Sequence, residues 1–265
     1  MNWTLYKNGL KSSWKPFVIF AAVITMYFTI IVTMFDPEMG NALKEFEKVM
    51  PELMAMVGMT TDDATLVSFL ASYLYGFIVP IFPMVYAIIM GNSLVAKRVD
   101  SGSMAYLLAA PVSRLKIVFT QMKVLASGIF LLVGYAAVVG IVSSQIYFPG
   151  ELDIGAFLLL NLGALALHLC ISGICFFASC LFNDTKYSLA VGAGIPALCY
   201  IIQMMANAGD AMENAKYATF FTLFDPKGII AGETSAYLGM AALAAGGFAL
   251  YTLGIAVFTK KDIPV

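Results

Sequence analysis

Charged residues are scarce in this chain. Asp, Glu, Lys and Arg make up 12% of its 265 residues, whereas hydrophobic residues make up 61%. Soluble globular domains carry about 25% charged residues. A mean hydropathy of +0.88 is typical of a chain that is solvated mainly by lipid. The composition therefore excludes a soluble globular domain and predicts an integral membrane protein.

Catalytic and nucleotide-binding motifs are also absent. The sequence has no HExxH, no GxSxG and no paired-glutamate helix, which excludes an intramembrane hydrolase of a known type. It has no GxxxxGK[ST], so the chain cannot hydrolyse ATP with a P-loop of its own. The four cysteines lie in apolar runs without CxxC spacing, and we interpret them as packing residues. We expect no catalytic residue, metal or cofactor in this chain.

Six apolar runs are long enough to cross a membrane. A hydrocarbon core of ~30 Å requires about 20 helical residues at 1.5 Å per residue. An even number of spans places both termini on the same side. We predict an all-α fold in which residues 1–265 form a single transmembrane domain, with spans at 17–35, 66–90, 117–142, 154–182, 187–205 and 237–258.

Lysine and arginine are concentrated on one side of these spans. We assign to that side the two termini, the segment 91–116 and the turn 183–186. It then carries eleven basic residues, against Lys44, Lys48, Lys216 and Lys227 on the other side. Because Lys and Arg near span ends are retained in the cytoplasm, we predict that both termini are cytoplasmic. The eleven are Lys7, Lys11, Lys15, Lys97, Arg98, Arg114, Lys116, Lys123, Lys186, Lys260 and Lys261.

The N-terminal segment before the first span is amphipathic. Residues 3–15 place Trp3 and Trp14 among three lysines, a pattern typical of a helix that lies in the membrane interface. We expect Pro16 to turn the chain from this interfacial helix into the first span.

The first outer loop also has a helical pattern. Asp36-Pro37 is a helix-start signal, and apolar residues then recur at three- and four-residue spacing up to Val57. The pattern favours an amphipathic helix bent near Pro51. Such a helix either lies on the outer leaflet or covers the outer mouth of a substrate path, and the sequence does not separate the two.

Features inside the spans predict where helices bend or approach one another. Pro80 and Pro83 are expected to loosen the second span. Small residues four positions apart favour close helix contact. The pairs are Ala136 with Gly140 and Ala242 with Gly246.

Polar residues inside the spans are few, and they are the first place to look for function because burying them in lipid is costly. His168 is the only histidine, Asn161 lies on roughly the same helical face, and Gln203 lies near the outer end of the fifth span. The predicted spans contain no Asp or Glu, so a proton relay has no carboxylate. We interpret these three residues as structural hydrogen-bonding groups or as the lining of a translocation path.

The inner loop between the second and third spans holds the densest basic cluster, with both arginines of the chain. Its run Asp100-Ser101-Gly102-Ser103 predicts the start of a short helix, which Pro111 ends. Met104, Leu107 and Leu108 form an apolar stripe on that helix. The stripe and its basic surroundings suit either a lipid anchor or, in our preferred interpretation, a plug for a partner's groove.

This loop resembles a known signature. The run KRVDSGSMAYLLAAPVSRLKIVFTQMK is similar to that of type-2 ABC transporter permeases, in which the second span is followed by Gly-Thr or Gly-Ser, a leucine-rich stretch, Pro-Val-Ser-Arg and a Lys at the start of the third span. The family often has Glu four residues before the Gly, where this chain has Arg98. The number of spans and the basic tail FTKKDIPV are similar too. The matching positions are Gly102, Ser103, Leu107, Leu108, Pro111, Val112, Ser113, Arg114 and Lys123.

The resemblance implies a mechanism with a partner. The inner-loop helix would be a cytoplasmic coupling helix that docks on a separate ABC ATP-binding subunit, which binds ATP and Mg. Two permease chains would form a homodimer in the lipid bilayer of a bacterial plasma (inner) membrane, without nucleic acid. The implied docking residues are Arg98, Asp100, Gly102, Ser103, Leu107, Leu108, Pro111, Ser113 and Arg114, with Asn183 and Asp184 in a second, smaller element.

We therefore predict the membrane-spanning permease subunit of an ABC transporter that exports an amphipathic compound, such as a lipid-linked molecule, peptide or drug. Two other functions are consistent with parts of the sequence. One is a membrane scaffold or sensor that docks a cytosolic protein without transport. The other is an ion-coupled carrier with His168 as its proton site.

Overall fold

A computed structural model describes residues 2–35, 45, 48–58, 65–208 and 210–262, and these residues form helices with no β-strand. The amphipathic helix predicted from Asp36 to Val57 lies partly outside these residues, at positions 36–44, 46 and 47. The α-helices are α1 (Trp3–Thr33), α2 (Pro51–Met56), α3 (Leu66–Tyr73), α4 (Val79–Leu94), α5 (Ala96–Asp100), α6 (Ser103–Ala109), α7 (Arg114–Tyr147), α8 (Ile154–Leu181), α9 (Thr185–Asn207), α10 (Pro226–Ala231) and α11 (Thr234–Lys260).

The prediction of six membrane-spanning helices is confirmed. Within the described residues, six helical segments have the length and hydropathy of a span. Span 3, for example, begins at Arg114 and ends at Tyr147, beyond the predicted 117–142, because a helix continues past the apolar core into the polar interface. In chain order, spans 1 to 6 are Trp3–Thr33, Leu66–Asp100, Arg114–Tyr147, Ile154–Leu181, Thr185–Asn207 and Thr234–Lys260.

Spans 2, 3 and 4 form the centre of the bundle. Between 50% and 61% of their most apolar windows is buried inside the chain, compared with 22% to 28% for spans 1, 5 and 6. The outer spans therefore leave most of their apolar surface for lipid or for another chain.

Helix α1 corrects the expected turn at Pro16. The helix runs without a break from Trp3 to Thr33, because both halves pack on span 3. Near its start the Tyr6 hydroxyl lies 2.8 Å from Ser127 Oγ, and beyond the proline Thr25 Oγ1 lies 2.7 Å from the Tyr135 hydroxyl. The N-terminal segment is thus helical, as predicted, and its position at the membrane interface stays a prediction.

Span 2 is irregular just before the prolines that were expected to loosen it, and Pro80 and Pro83 themselves lie in the regular helix α4. Residues Leu74–Ile78 form a π-helical turn between α3 and α4, and π-turns of this kind are common at functional sites. Pro80 and Pro83 follow within the next turn and a half. Pro83 has no N–H to donate to the carbonyl of Val79, so the helix is weakest at this point.

Spans 4 and 6 come into close backbone contact at Gly247. A Cβ on Gly247 would lie 2.8 Å from the backbone carbonyl carbon and oxygen of Leu169. The predicted pair Ala242 and Gly246 is wrong: Ala242 is exposed, and a Cβ on Gly246 would meet only the Cys170 sulfur, at 3.8 Å.

In span 3 the predicted pair of small residues is confirmed. Ala136 is buried, and Gly140 packs against the rings of Phe157 and Phe28. Span 3 thereby contacts spans 4 and 1 at this level of the bundle.

Candidate functional site

The short helix α6 lies between spans 2 and 3, as predicted. It follows Gly102, whose φ of 71° is a left-handed conformation that favours glycine. The Ser101 and Ser103 hydroxyls donate to the Arg98 carbonyl at 3.4 and 3.2 Å. These bonds hold the turn before α6 against the end of α5. Extended backbone at Ala110 then ends it before Pro111.

The apolar stripe of α6 faces the bundle, which corrects the expectation that it forms the plug for a partner. Met104 is 1% exposed, and Leu107 and Leu108 are half-buried against the core. A stripe at three- and four-residue spacing is the side of a helix that packs on its own protein. The outward side carries Tyr106, which is 83% exposed and which no sequence pattern singled out.

The two predicted docking elements adjoin at the same end of the bundle, which we call the basic end. The Asp100 carboxylate accepts a hydrogen bond of 3.3 Å from the backbone N–H of Thr185. Asp184 caps span 5 by accepting from the Lys186 N–H at 2.6 Å. Of the remaining predicted docking residues, Arg98 and Asn183 are half-buried. The exposed ones are Gly102, Ser103, Pro111, Ser113 and Arg114.

Arg114 also belongs to a structural link that sequence reasoning missed. Its guanidinium donates to the Lys261 carbonyl at 3.1 Å, and Lys261 Nζ donates to the Leu181 carbonyl at 2.6 Å. Burial lowers the pKa of Lys261. These bonds connect the basic ends of spans 3, 4 and 6. The sequence feature that could have predicted this link is a lysine just after an apolar run, because cations at that position bond to the last carbonyls of a helix.

At the opposite end of the bundle lies a cavity of about 470 Å³, which we call the end cavity. It is formed by α2, the π-turn of span 2, the end of span 5 and the segment before α10. Its lining residues are Ala55, Gly58, Ala71, Ser72, Tyr75, Gly76, Pro80, Tyr200, Gln203, Asn207, Phe221, Thr222, Phe224, Asp225, Pro226 and Lys227.

The segment after α2 covers one side of this cavity. Gly58 has a φ of 74° and packs on the backbone of Gly76 in the π-turn. Ala55 and Gly58, in the described part of the first outer loop, thus line the cavity, and the position of this loop relative to the outer leaflet stays a prediction. Only glycines allow the two backbones to approach this closely.

Replacing Gly76 with alanine is expected to detach this cover. The new Cβ would lie 2.7 Å from the Val57 carbonyl oxygen, so the α2 segment must move away. Limited proteolysis at the exposed Lys48 should then become faster. Gly134→Ala is the control, because a Cβ there meets nothing within 4 Å; equal cleavage of both variants would contradict the predicted contact.

Of the three candidate translocation residues, one lines the end cavity and two are buried in span 4. Gln203 lines it directly. Asn161 lies beside Tyr75, a lining residue. His168 is fully buried, with Nδ1 2.7 Å from the Ala164 carbonyl. The carbonyls of Val79 and Pro80 face its ring, although Nε2 makes no hydrogen bond of standard geometry with the described residues.

Metal-ligating side chains do not cluster in the described residues, where no three of His, Cys, Asp and Glu lie close enough to hold an ion.

The comparisons with known proteins point to a transporter. The model of a family described as "ABC-2 family transporter protein" matches residues 10–263. A comparison with curated proteins finds no match.

Proposed function

Because the chain belongs to the ABC-2 family of transporter proteins and is a membrane permease subunit, we propose that a separate ATP-binding subunit docks on its basic end. The outward side of α6 and the adjoining turn before span 5 are the docking surface. ATP and Mg bind the partner chain, and the transported compound is an amphipathic molecule that leaves the cell.

One observation carries this proposal: span 2 connects the two candidate sites directly. Its basic end continues through α5 into α6, and its other end holds the π-turn that lines the end cavity. A partner that pushes on α6 therefore moves the cavity wall through one helix. The π-turn and the missing hydrogen bond at Pro83 provide the point at which that helix bends.

This geometry supports alternating access as the transport step that we propose. Closure of two ATP-binding subunits brings the α6 helices of two permease chains together, and the spans rearrange around a path shared by the two chains. Spans 1, 5 and 6, which leave most of their apolar surface uncovered, supply apolar surface for the second copy. In this arrangement both termini are cytoplasmic, and the end cavity opens to the outside of a bacterial plasma membrane.

Charge reversal at Arg114 tests the docking surface. We expect Arg114→Glu to weaken co-purification with a co-expressed ATP-binding-cassette subunit by at least about ten-fold, because a guanidinium becomes a carboxylate at the interface. Lys48→Glu, at the opposite end, is the control. ATP hydrolysis by the co-expressed complex gives the second readout.

Two results contradict the proposal. If no ATP-binding subunit co-purifies and Arg114→Glu leaves export unchanged, docking at the basic end is wrong. If the subunit binds and no compound crosses the membrane, the chain is a scaffold or sensor instead.

A further inference from the structure

A second recess, which we call the side groove, lies on the outer surface of the bundle between α1, span 3 and span 4. Its volume is about 440 Å³. Phe130 and Leu131 line it and are 62% and 52% exposed, so the groove opens away from the bundle, toward the surroundings of the spans. Its lining is mostly carbon. The lining residues are Tyr6, Ala126, Ser127, Phe130, Leu131, Leu165 and Leu169.

The two hydroxyl groups of the side groove already have protein partners. The Tyr6 hydroxyl lies 2.8 Å from Ser127 Oγ, and Ser127 Oγ also donates to the Lys123 carbonyl. An apolar ligand in the groove therefore leaves neither hydroxyl without a hydrogen bond, which would be costly. A hydrocarbon chain suits this lining.

Lys123 lies at the end of the side groove that is nearer the basic end. It precedes Ala126 and Ser127 by three and four residues, so the three share one face of span 3. Its side chain is half-buried, and Nζ lies 4.9 Å from the centroid of the Phe119 ring, one turn closer to the basic end. The stem thus runs along the helix and carries the ammonium group away from the groove.

The ammonium group and the groove lie at the depths of a lipid headgroup and an acyl chain. Span 3 has 34 residues, or about 51 Å at 1.5 Å per residue. Because the hydrocarbon core is ~30 Å thick, about 10 Å at each end of a centred helix lies in the polar interface. Phe119 is five residues from the start of the span at Arg114 and falls in that region. Ala126 and Leu131 are twelve and seventeen residues from the start and fall in the core.

Lys7 supplies a second ammonium group on the α1 side. The Tyr6 ring stacks on the Trp3 ring with centroids 5.6 Å apart, and Lys7 Nζ lies 5.3 Å from the centroid of that Trp3 ring. Neither Lys7 nor Lys123 pairs with an acid among the described residues. The sequences of α1, span 3 and span 4 contain no Asp or Glu. The side groove thus combines an apolar body with positive charge at one end.

From these features we propose that the side groove binds one acyl chain of an anionic glycerophospholipid of the bilayer, whose phosphate is held by Lys123 and Lys7. A free phosphate ion would leave the apolar groove unused. Each lysine adds attraction for a headgroup with net negative charge, so the site prefers such a lipid to a zwitterionic one. The bound lipid joins the start of α1 to spans 3 and 4. This inference goes beyond the proposed function, since the lipid is not the exported compound.

Quenching of Trp3 fluorescence tests the inference. Trp3 and Trp14 are the two tryptophans of the chain, so Trp14→Phe leaves one fluorophore, which stacks on a residue of the groove. The full chain with this change is reconstituted in nanodiscs of phosphatidylcholine with a rising fraction of phosphatidylglycerol brominated on its acyl chains. Phosphatidylcholine brominated at the same position is the reference. We expect phosphatidylglycerol to reach half-maximal quenching at a mole fraction about ten-fold lower or less.

Charge variants locate the headgroup. We expect Lys123→Gln to reduce the preference for phosphatidylglycerol about five-fold, and Lys123→Arg to keep it because the positive charge remains. Lys186→Gln is the matched control. It removes an exposed lysine at the same end of the bundle, on span 5, which does not line the groove.

A filling variant locates the acyl chain. In Ala126→Phe the charge is unchanged, and the new ring occupies the groove. We expect half-maximal quenching by brominated phosphatidylglycerol to require about ten-fold more lipid, because the acyl chain loses its contacts with the lining.

Four results overturn the inference: equal quenching by the two brominated lipids, a preference that Lys123→Gln leaves unchanged, an equal loss in Lys123→Gln and Lys186→Gln, or quenching that Ala126→Phe leaves unchanged. None of these measurements involves the ATP-binding subunit. Docking at the basic end is therefore tested separately.

Discussion

Replacing Tyr106 with alanine is expected to weaken binding of the ATP-binding subunit by about 30-fold or more. Exposed aromatic residues at the centre of an interface commonly contribute 2 kcal/mol or more to binding, which corresponds to about 30-fold in Kd. Tyr106 is 83% exposed on the outward side of α6. Its neighbours Met104, Leu107 and Leu108 are turned toward the bundle, so Tyr106 is the large side chain available to a partner groove.

Affinity and stability must be measured together for this variant. The Kd for the ATP-binding subunit is measured by titration of the detergent-purified chain, and the thermal midpoint of the chain alone should not change. Tyr217→Ala is the matched control, because Tyr217 is 79% exposed in the segment before α10. Equal loss of affinity in both variants, or none in Tyr106→Ala, would show that α6 does not dock through this ring.

Replacing Gly247 with alanine is expected to destabilise the bundle by about 1–3 kcal/mol, the usual cost of forcing extra atoms into a packed core. The new Cβ would lie within 2.9 Å of backbone atoms of Leu169 and Cys170. Backbone atoms cannot rotate away as a side chain does, so spans 4 and 6 must separate.

The adjacent glycine provides the control for this prediction. In Gly246→Ala the new Cβ has one neighbour, the Cys170 sulfur at 3.8 Å, which is an ordinary contact. Thermal unfolding in detergent should therefore show a lower midpoint for Gly247→Ala and almost no change for Gly246→Ala. The reverse order would mean that the rotation of span 6 about its axis is wrong.

The two ends of the molecule have different physical roles. At the basic end, Arg114, Lys261 and Leu181 tie three spans together, while α6 follows span 2, which contains the π-turn. A rigid end and a bendable span 2 are what a mechanical coupling requires. Under the proposed docking, we expect movement of α6 to reach the π-turn and the end cavity through span 2.

Much of the fold could be predicted from local pattern. The six spans follow from apolar run length alone, because each run must satisfy its own backbone hydrogen bonds in lipid and a helix does so without a partner. Helix α6 was predicted from Gly102 and Pro111 for a similar reason: both residues restrict the backbone locally.

The sequence was a poorer guide to which face of each helix packs against a neighbour. The sequence identified the apolar stripe of α6 without revealing that it covers the ends of its own spans, and it selected Ala242 with Gly246 where Gly247 makes the contact. Small residues mark helix contacts only on average, since lipid-facing positions of a span are apolar too. Which face meets a neighbour depends on how all the helices pack together.

The sequence by itself determined that this is a six-span membrane protein without a P-loop, with a short loop helix between spans 2 and 3. These features depend on composition, run length and residues that restrict their own backbone. Only the tertiary structure decided that Tyr106 faces outward, that Lys261 closes the ends of spans 4 and 6, and that Gln203, Tyr75 and Tyr200 line one cavity. Those relations join residues far apart in the chain, and packing in three dimensions creates them.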